Sequence, residues 1–182
     1  MKGIVFTLFN ELVERSFGLE TWDRLLQQSG EDGIYTAAAT YPDQSMLSMV
    51  TALAKQTSVP AGQLVRTFGE YMLSGFVRQY PTFFPDGMTA RQLLLSVDSI
   101  IHVEVKKLFP DAVLPKFTYE CPSDDRLIMT YQSQRRLCSL AEGLIDGTAR
   151  HFGQEIQRVQ TCCMNDGADF CRFELTFGKQ TA

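Results

Sequence analysis

Residues 110–131, PDAVLPKFTYECPSDDRLIMTY, contain the point at which the sequence changes from helical to strand periodicity. Residues 117–120 and 126–131 are rich in aromatic and β-branched side chains, as strands are, and the intervening CPSDD is typical of a turn. Pro110 and Pro115 precede the first of these segments and end the helical pattern. The stretch therefore predicts two strands joined by a short connection.

Upstream of Pro110, apolar residues recur at intervals of three or four positions, which predicts amphipathic helices. The last of these helices begins with a capping-box pattern, Thr89 followed three residues later by Gln92, and continues to about residue 109. The other predicted helices cover residues 4–17, a short segment around Trp22, residues 44–57, and a segment from about 60 to beyond 71.

Downstream of the same stretch, one further helix is predicted over about 136–152, and two strands over 155–163 and 170–177. We therefore expect an α+β fold. A helical N-terminal part, about residues 1–110, packs on a C-terminal antiparallel sheet with one long helix, about residues 111–182. The length of 182 residues fits a single domain.

Composition and charge exclude several classes of protein. The formal net charge is −4 and no run of Lys and Arg occurs, which argues against nucleic-acid binding. No stretch of about 18 uncharged apolar residues is present, so we expect no membrane span. The apolar start of the chain is interrupted at Asn10 and Glu11, which argues against a signal peptide. We expect a cytoplasmic protein whose five cysteines are thiols or metal ligands rather than disulfides.

His102, one of two histidines, lies in the middle of the helix that begins at Thr89. Residues one and two turns away are mostly apolar, so His102 is expected on an apolar helix face. A neutral imidazole there suits an axial ligand of a haem iron, because the metal occupies a nitrogen that burial would otherwise leave unpaired. Taken alone, the pattern more often indicates a core histidine bonded to a carbonyl or to Asp98. His151, near a helix C-terminus, is expected to be structural.

The sequence Tyr131-Gln132-Ser133-Gln134-Arg135 follows the second predicted strand. If the strand continues through it, Tyr131, Ser133 and Arg135 project from one face and present a phenol, a hydroxyl and a guanidinium in a row. Such a row can bind two carboxylates or phosphates, and Arg135 can do so bidentately. Three alternating polar residues are also typical of the solvated face of a strand, and the pattern alone leaves that alternative open.

Four cysteines, Cys138, Cys162, Cys163 and Cys171, form a third candidate set, and Cys121 lies apart from them. Cys163 and Cys171 flank the turn between the last two strands, and Cys138 begins the preceding helix. Two thiolates on a hairpin and a third on an adjacent helix can form part of a tetrahedral zinc site. The spacing lacks a compact CxxC pattern, and buried thiols that pack as small hydrophobic groups are an equal alternative.

Taken together, these motifs resemble those of the H-NOX family, the haem nitric oxide/oxygen-binding domains related to the sensor region of soluble guanylate cyclase. The resemblance covers essentially the whole chain. Its elements are the opening Met1-Lys2-Gly3-Ile4, the helix with His102, Pro115, the Tyr-x-Ser-x-Arg sequence and the closing Gly167-Ala168-Asp169 hairpin.

The resemblance implies that haem b lies between the two parts of the fold, with His102 as the axial ligand of the iron. It implies that Tyr131, Ser133 and Arg135 bind the haem propionates. It also implies that Pro115 contacts the porphyrin and helps to distort it.

The resemblance also implies the gas ligand. In oxygen-binding members, a distal tyrosine donates a hydrogen bond to dioxygen. The matching residue here is Leu140. Val5, Phe9 and Phe76 are similar to other distal-pocket positions and are likewise apolar. Nitric oxide binds ferrous haem without such a donor, so we expect a nitric oxide sensor with carbon monoxide as a secondary ligand.

A proteobacterial subgroup of the family holds a structural zinc ion with three Cys and one His. Cys138, Cys163 and Cys171 match the three thiolates, whereas the matching His position is Gln160, a poor zinc ligand. Cys162 could complete the site only if its strand bends, because adjacent strand residues face opposite sides.

We therefore expect a stand-alone sensor without catalysis. Nitric oxide binding weakens or breaks the bond from iron to His102 and frees the helix that carries it. The resemblance implies that a histidine kinase or a cyclic-di-GMP enzyme reads the change. A zinc/cysteine redox sensor and a haem or thiol redox enzyme using Cys162 and Cys163 are the alternatives. The enzyme is disfavoured because no polar acid–base pair is expected on the distal side.

Overall fold

The computed structural model describes residues 1–180. Its elements are helices α1 (Gly3–Phe17), α2 (Leu19–Ser29), α3 (Asp43–Thr57), α4 (Ala61–Gln79), α5 (Ala90–Ser96), α6 (His102–Leu108) and α7 (Cys138–His151), and strands β1 (Lys116–Ser123), β2 (Arg126–Gln132), β3 (Gln154–Cys162) and β4 (Cys171–Gln180). The α+β class is confirmed. No helix within these residues is long and apolar enough to cross a lipid bilayer.

The strands of the described residues form one sheet with the order β1-β2-β4-β3, and each neighbouring pair is antiparallel. β1 and β2 form the hairpin predicted around CPSDD, and β3 and β4 form a second hairpin. β4 lies inside the sheet, and its side chains Cys171, Phe173 and Leu175 are buried on one face. α7 packs on this face, because its residues Ala141 and Ile145 share one hydrophobic core with these side chains.

Two hydrophobic cores meet at α7. The first is formed by α1 to α4, and Leu140 and Leu144 of α7 pack against it. The second is formed mainly by the sheet and α5, and it contains Ala141 and Ile145 of α7. Residues four apart share one face of a helix, so α7 presents a different face to each core. The helical part and the sheet part are therefore joined through this helix.

The helix predicted over about residues 89–109 is divided by a π turn. α5 ends at Ser96, Val97–Ile101 form the π turn, and α6 begins at His102. The Ser96 hydroxyl donates a hydrogen bond to the Leu93 carbonyl oxygen (2.8 Å), and bonds of this kind bend helices. A π turn accommodates one extra residue, so the side chains after it are rotated relative to a continuous helix. The orientation of His102 therefore depends on a turn that apolar periodicity does not predict.

Candidate functional site

His102 has a mostly buried imidazole, with 17% of the side chain exposed. Its Nδ1 atom is buried and has no hydrogen-bond partner among residues 1–180, and Asp98 Oδ1 lies 3.5 Å from it. The same oxygen accepts a hydrogen bond from Phe117 N (3.1 Å). Burial lowers the pKa of His102 below its usual range, although the Asp98 carboxylate acts in the opposite direction. His102 is therefore neutral at neutral pH, which is the form that binds metals.

His102 and Pro115 line the same groove, which has a volume of about 500 Å³. Val103 and Leu114 are its other apolar residues, and its polar lining residues are Asp98, Lys106, Lys107 and Lys116. The structure thus brings together the predicted iron ligand and the residue predicted to contact the porphyrin.

The four predicted distal residues, Val5, Phe9, Phe76 and Leu140, belong to one hydrophobic cluster to which α1, α4 and α7 contribute. Phe9 is fully buried, and its ring contacts two other core aromatic rings edge-on, so it supports the core. The other three are partly exposed. None of the four side chains carries a hydrogen-bond donor. Tyr80 was not predicted from the sequence as a distal residue. Its ring centroid lies 6.3 Å from that of Phe76, and its side chain carries a hydroxyl group.

Tyr131, Ser133 and Arg135 would form a row only if the strand continued through them, and that condition is not met. β2 ends at Gln132, and the chain turns over the next residues. The Tyr131 hydroxyl accepts a hydrogen bond from Leu137 N (3.2 Å), and the Ser133 hydroxyl accepts one from Arg135 N (3.2 Å). The side-chain oxygens compete with strand pairing because they satisfy backbone amides of the turn.

Arg135 is held by groups far away in the sequence. Its Nε donates to Asp43 Oδ2 (2.7 Å), and its Nη1 donates to the Val113 carbonyl oxygen (2.5 Å). The other Asp43 oxygen lies 2.9 Å from the amino-terminal nitrogen of Met1. Partial burial raises the pKa of Asp43, but the bonds from Arg135 and the terminal ammonium outweigh it and lower the pKa below its usual range. Sequence reasoning missed Asp43, because an acidic residue in the first turn of a helix usually needs no partner beyond that helix.

The sulfur atoms of Cys138, Cys163 and Cys171 lie within 4.8 Å of one another. The Cys138–Cys163 and Cys163–Cys171 sulfur distances are 3.7 and 4.0 Å, and the Cys138–Cys171 distance is 2.8 Å. Tetrahedral zinc with Zn–S bonds of about 2.3 Å separates its sulfur ligands by about 3.8 Å. The Cys138–Cys163 and Cys163–Cys171 distances therefore fit a shared zinc ion. The Cys138–Cys171 distance has to lengthen by about 1 Å when zinc binds.

Cys162 is not part of this cluster. The strand does bend, through a register shift between Gln160 and Cys162, but Cys162 pairs in register with Arg172. Its thiol donates to the Phe170 carbonyl oxygen (3.4 Å). The bend therefore does not bring Cys162 to the other three sulfurs.

Two thiols of the cluster are poor acids as they stand. Burial, followed by the neighbouring thiols, raises the pKa of Cys138 well above its usual range, and burial also raises the pKa of Cys171. A metal ion that binds here has to displace their protons, so its binding depends on pH. Met164 N donates to the Cys171 sulfur (3.2 Å), a contact that stabilises the thiolate.

The sequence matches the family model described as Haem-NO-binding over residues 2–160. The chain is 26% identical over 142 residues to soluble guanylate cyclase 89Db of Drosophila melanogaster; the match covers 74% of this chain and 20% of that relative, so the chain spans about a fifth of its length.

Solved structures are similar over nearly the whole chain. An H-NOX protein from S. oneidensis in the Fe(II)NO ligation state has a TM-score of 0.93 and 30% identity, covering 98% of this chain and 100% of that chain. The IWP-051-bound H-NOX from Shewanella woodyi in the Fe(II)CO ligation state has a TM-score of 0.86 and 38% identity, covering 100% of this chain and 97% of that chain.

Proposed function

Because the chain belongs to the haem-NO-binding family, also called H-NOX, we propose that it is a haem-based sensor of nitric oxide without catalytic activity of its own. The family has a haem-binding, gas-sensing fold. The proposal treats residues 1–182 as one sensor domain in the cytoplasm, where the five free thiols remain reduced. The observation that carries it is the neutral imidazole of His102 in a groove that it shares with Pro115.

The residues of this chain fit a haem. His102 offers a mostly buried, neutral imidazole whose Nδ1 lies 3.5 Å from Asp98 Oδ1, a carboxylate that can orient the ring. Pro115 and Leu114 provide apolar surface in the same groove. We propose that His102 holds the iron of haem b and that the distal side is lined by Val5, Phe9, Phe76 and Leu140.

For the haem propionates, the proposed residues are Tyr131, Ser133 and Arg135. Their bonds within the turn orient them without using all their capacity. Each hydroxyl that accepts a bond from a backbone amide keeps its own hydrogen to donate to a carboxylate. A guanidinium has five N–H donors, so Arg135 can bind a propionate while it remains paired with Asp43.

The choice of gas follows from the distal side chains. Haem, when bound, would supply a ferrous iron that binds diatomic gases. Leu140, Val5 and Phe76 cannot donate a hydrogen bond to the partial negative charge on dioxygen. A neutral hydrogen bond contributes on the order of 1 kcal/mol, so its loss disfavours dioxygen relative to nitric oxide and carbon monoxide.

The proposed signal is the release of His102, which frees α6. No residue of α6 is fully buried, so little packing resists its movement. The π turn precedes it, and beyond its C-terminal end Asp111 is bound by Lys2 (2.8 Å). A loosely packed helix can shift when the attachment at its first residue, His102, is released.

The proposed reader of this shift is a separate signalling protein, a histidine kinase or a cyclic-di-GMP enzyme. The guanylate cyclase relative supports this proposal. The part of it that is similar to this chain is 20% of its length, so most of that protein lies outside the similar part.

Absorption spectra of the purified ferrous protein test the proposal. We expect a Soret band, a five-coordinate spectrum with nitric oxide, a carbon monoxide complex, and no stable dioxygen complex in air. Leu140→Tyr supplies a distal donor, and any gain in dioxygen lifetime in this variant supports the electrostatic argument. A long-lived dioxygen complex of the wild type contradicts the proposed selectivity, and Tyr80→Phe would then identify the donor. Absence of a Soret band contradicts haem binding.

A second candidate function is redox sensing through a structural zinc ion. The observation that favours it is the cluster of Cys138, Cys163 and Cys171. These sulfurs fit part of a zinc site, and thiolates react with oxidants once a metal is lost. We propose that the three cysteines bind zinc and that this site accompanies the haem rather than replacing it.

A further inference from the structure

The zinc site lacks an evident fourth ligand. Among residues 1–180, no fourth His, Cys, Asp or Glu brings a ligand atom to within 4.8 Å of all three sulfurs. The chain has two histidines. His102 lies in the groove with Pro115, and His151 ends α7 at the opposite end from Cys138, about 20 Å away along the helix axis.

Gln160 lies on the same face of the sheet as the cluster but is a weak ligand. It pairs in register with Phe173, which is buried on the same face of β4 as Cys171. Its Nε2 atom is buried without a hydrogen-bond partner among the described residues. Zinc in proteins is held by thiolates, imidazoles and carboxylates, and a neutral amide is outside that set.

Asn165 approaches the cluster with its amide nitrogen. Nδ2 lies 3.7 Å from the Cys138 sulfur and donates to the Arg136 carbonyl oxygen (3.4 Å). The Arg136 carbonyl oxygen needs an N–H donor, so the amide nitrogen of Asn165, rather than its oxygen, faces Arg136 and Cys138. An amide NH₂ group donates hydrogen bonds and is not a metal ligand. Asn165 and Met164 N instead donate to sulfur, which stabilises the net negative charge of three thiolates on one divalent ion.

We propose that zinc at this cluster is held by three protein thiolates and that exchangeable water takes its fourth position, so the site is open. This inference rests on the zinc site proposed above. Cys138 and Cys171 are buried, whereas Cys163 is partly exposed, so solvent reaches the ion from the side of Cys163. Structural zinc sites with four protein ligands are closed, whereas sites with three protein ligands exchange the fourth.

The test uses the haem-loaded full chain with its zinc. Zinc K-edge X-ray absorption is expected to show three sulfur neighbours and one oxygen neighbour. Zinc transfer to a fluorescent chelator is expected to accelerate in proportion to chelator concentration, because the chelator attacks through the open position. Gln160→His places an imidazole on the cysteine side and is expected to slow transfer by about tenfold or more. The controls Gln160→Ala and Cys162→Ser are expected to keep the wild-type rate.

Four sulfur neighbours in the wild type, or a transfer rate independent of chelator concentration, would overturn the open site. A tenfold acceleration in Gln160→Ala would show that the amide is the fourth ligand and would overturn it as well. If Gln160→His fails to fold, the X-ray absorption spectrum and the zinc-transfer kinetics of the wild type still test whether the site is open. Protein purified without chelators that contains no zinc would remove the zinc site and this inference together. The haem spectra with nitric oxide test the sensor independently of that result.

Discussion

Replacement of Gly143 by Ala tests the contact that positions α7. Gly143 faces α4, and a Cβ atom added to it would lie 1.9 Å from the Arg66 carbonyl oxygen and 2.9 Å from the Gly69 Cα atom. Both neighbours are backbone atoms of a 19-residue helix, so no side-chain rotation can relieve the overlap. α7 also carries Leu140 and Cys138, so a displacement at Gly143 reaches the distal pocket and the cysteine cluster.

The expected cost follows from the size of the overlap. An ordinary carbon–oxygen contact is about 3.3 Å, so the helices have to separate locally by roughly 1.4 Å. Overpacking that only backbone movement can relieve costs about 3 kcal/mol, the upper part of the usual range. Ala is a better helix former than Gly by about 1 kcal/mol, so the net loss in free energy of unfolding is about 2 kcal/mol. For a chain of this length, the corresponding fall in Tm is about 4–8 °C.

Urea and thermal unfolding of the haem-loaded protein measure this change. The matched control is Gly62→Ala on the same helix pair, where the added Cβ would lie 3.5 Å from the Ser139 hydroxyl, an ordinary contact. The control is expected to be as stable as the wild type or more stable, because it gains helix propensity without overlap. A Gly143→Ala protein as stable as the Gly62→Ala protein would refute the argument from close backbone packing.

Three further predictions follow from the site. His102→Gly should leave haem loosely bound, and added imidazole should restore a five-coordinate ferrous spectrum; a wild-type spectrum without imidazole would rule out His102 as the ligand. Cys171→Ala should lose about one equivalent of zinc per chain, measured by metal analysis, and should destabilise the β3–β4 hairpin, whereas Cys162→Ser should keep the metal. Asp43→Asn should destabilise the protein above about pH 4, the ordinary pKa of the carboxyl, because the folded-state pKa of Asp43 is lowered by Arg135 and the terminal ammonium. Its difference from the wild type in urea unfolding should vanish as the pH falls through that lowered pKa, and an equal difference at pH 3 and pH 7 would contradict the ion-pair explanation.

Local patterns in the sequence predict most of the elements. The capping box at Thr89 is present, with Gln92 N donating to the Thr89 hydroxyl (3.2 Å) and Thr89 N donating to the Gln92 side chain (2.8 Å). The turn predicted at CPSDD is present but shorter: Asp124 and Asp125 connect β1 and β2, whereas residues 121–123 belong to β1. Apolar periodicity locates α1, α3 and α7 to within a few residues of their observed ends. These features depend on neighbours in the chain, so the order of residues contains the information.

The same reasoning fails where a distant group competes with a local preference. The sequence left open whether the strand continues through Tyr131, Ser133 and Arg135. In the structure their side chains bond to a turn, and Arg135 also bonds to Asp43, 92 residues away. The place of β4 between β2 and β3 also depends on non-local pairing.

The sequence by itself determined the helical and strand segments, the capping box, the cysteine positions and the apolar character of Leu140. Only the tertiary structure decided that His102 shares a groove with Pro115, that Arg135 is paired with Asp43, and that Cys162 does not join the three clustered cysteines. The physical reason is that helical periodicity and capping depend on residues only a few positions apart in the sequence. Side-chain direction at a π turn, at a register shift or after the end of a strand is instead set by contacts between segments that the chain order does not place together.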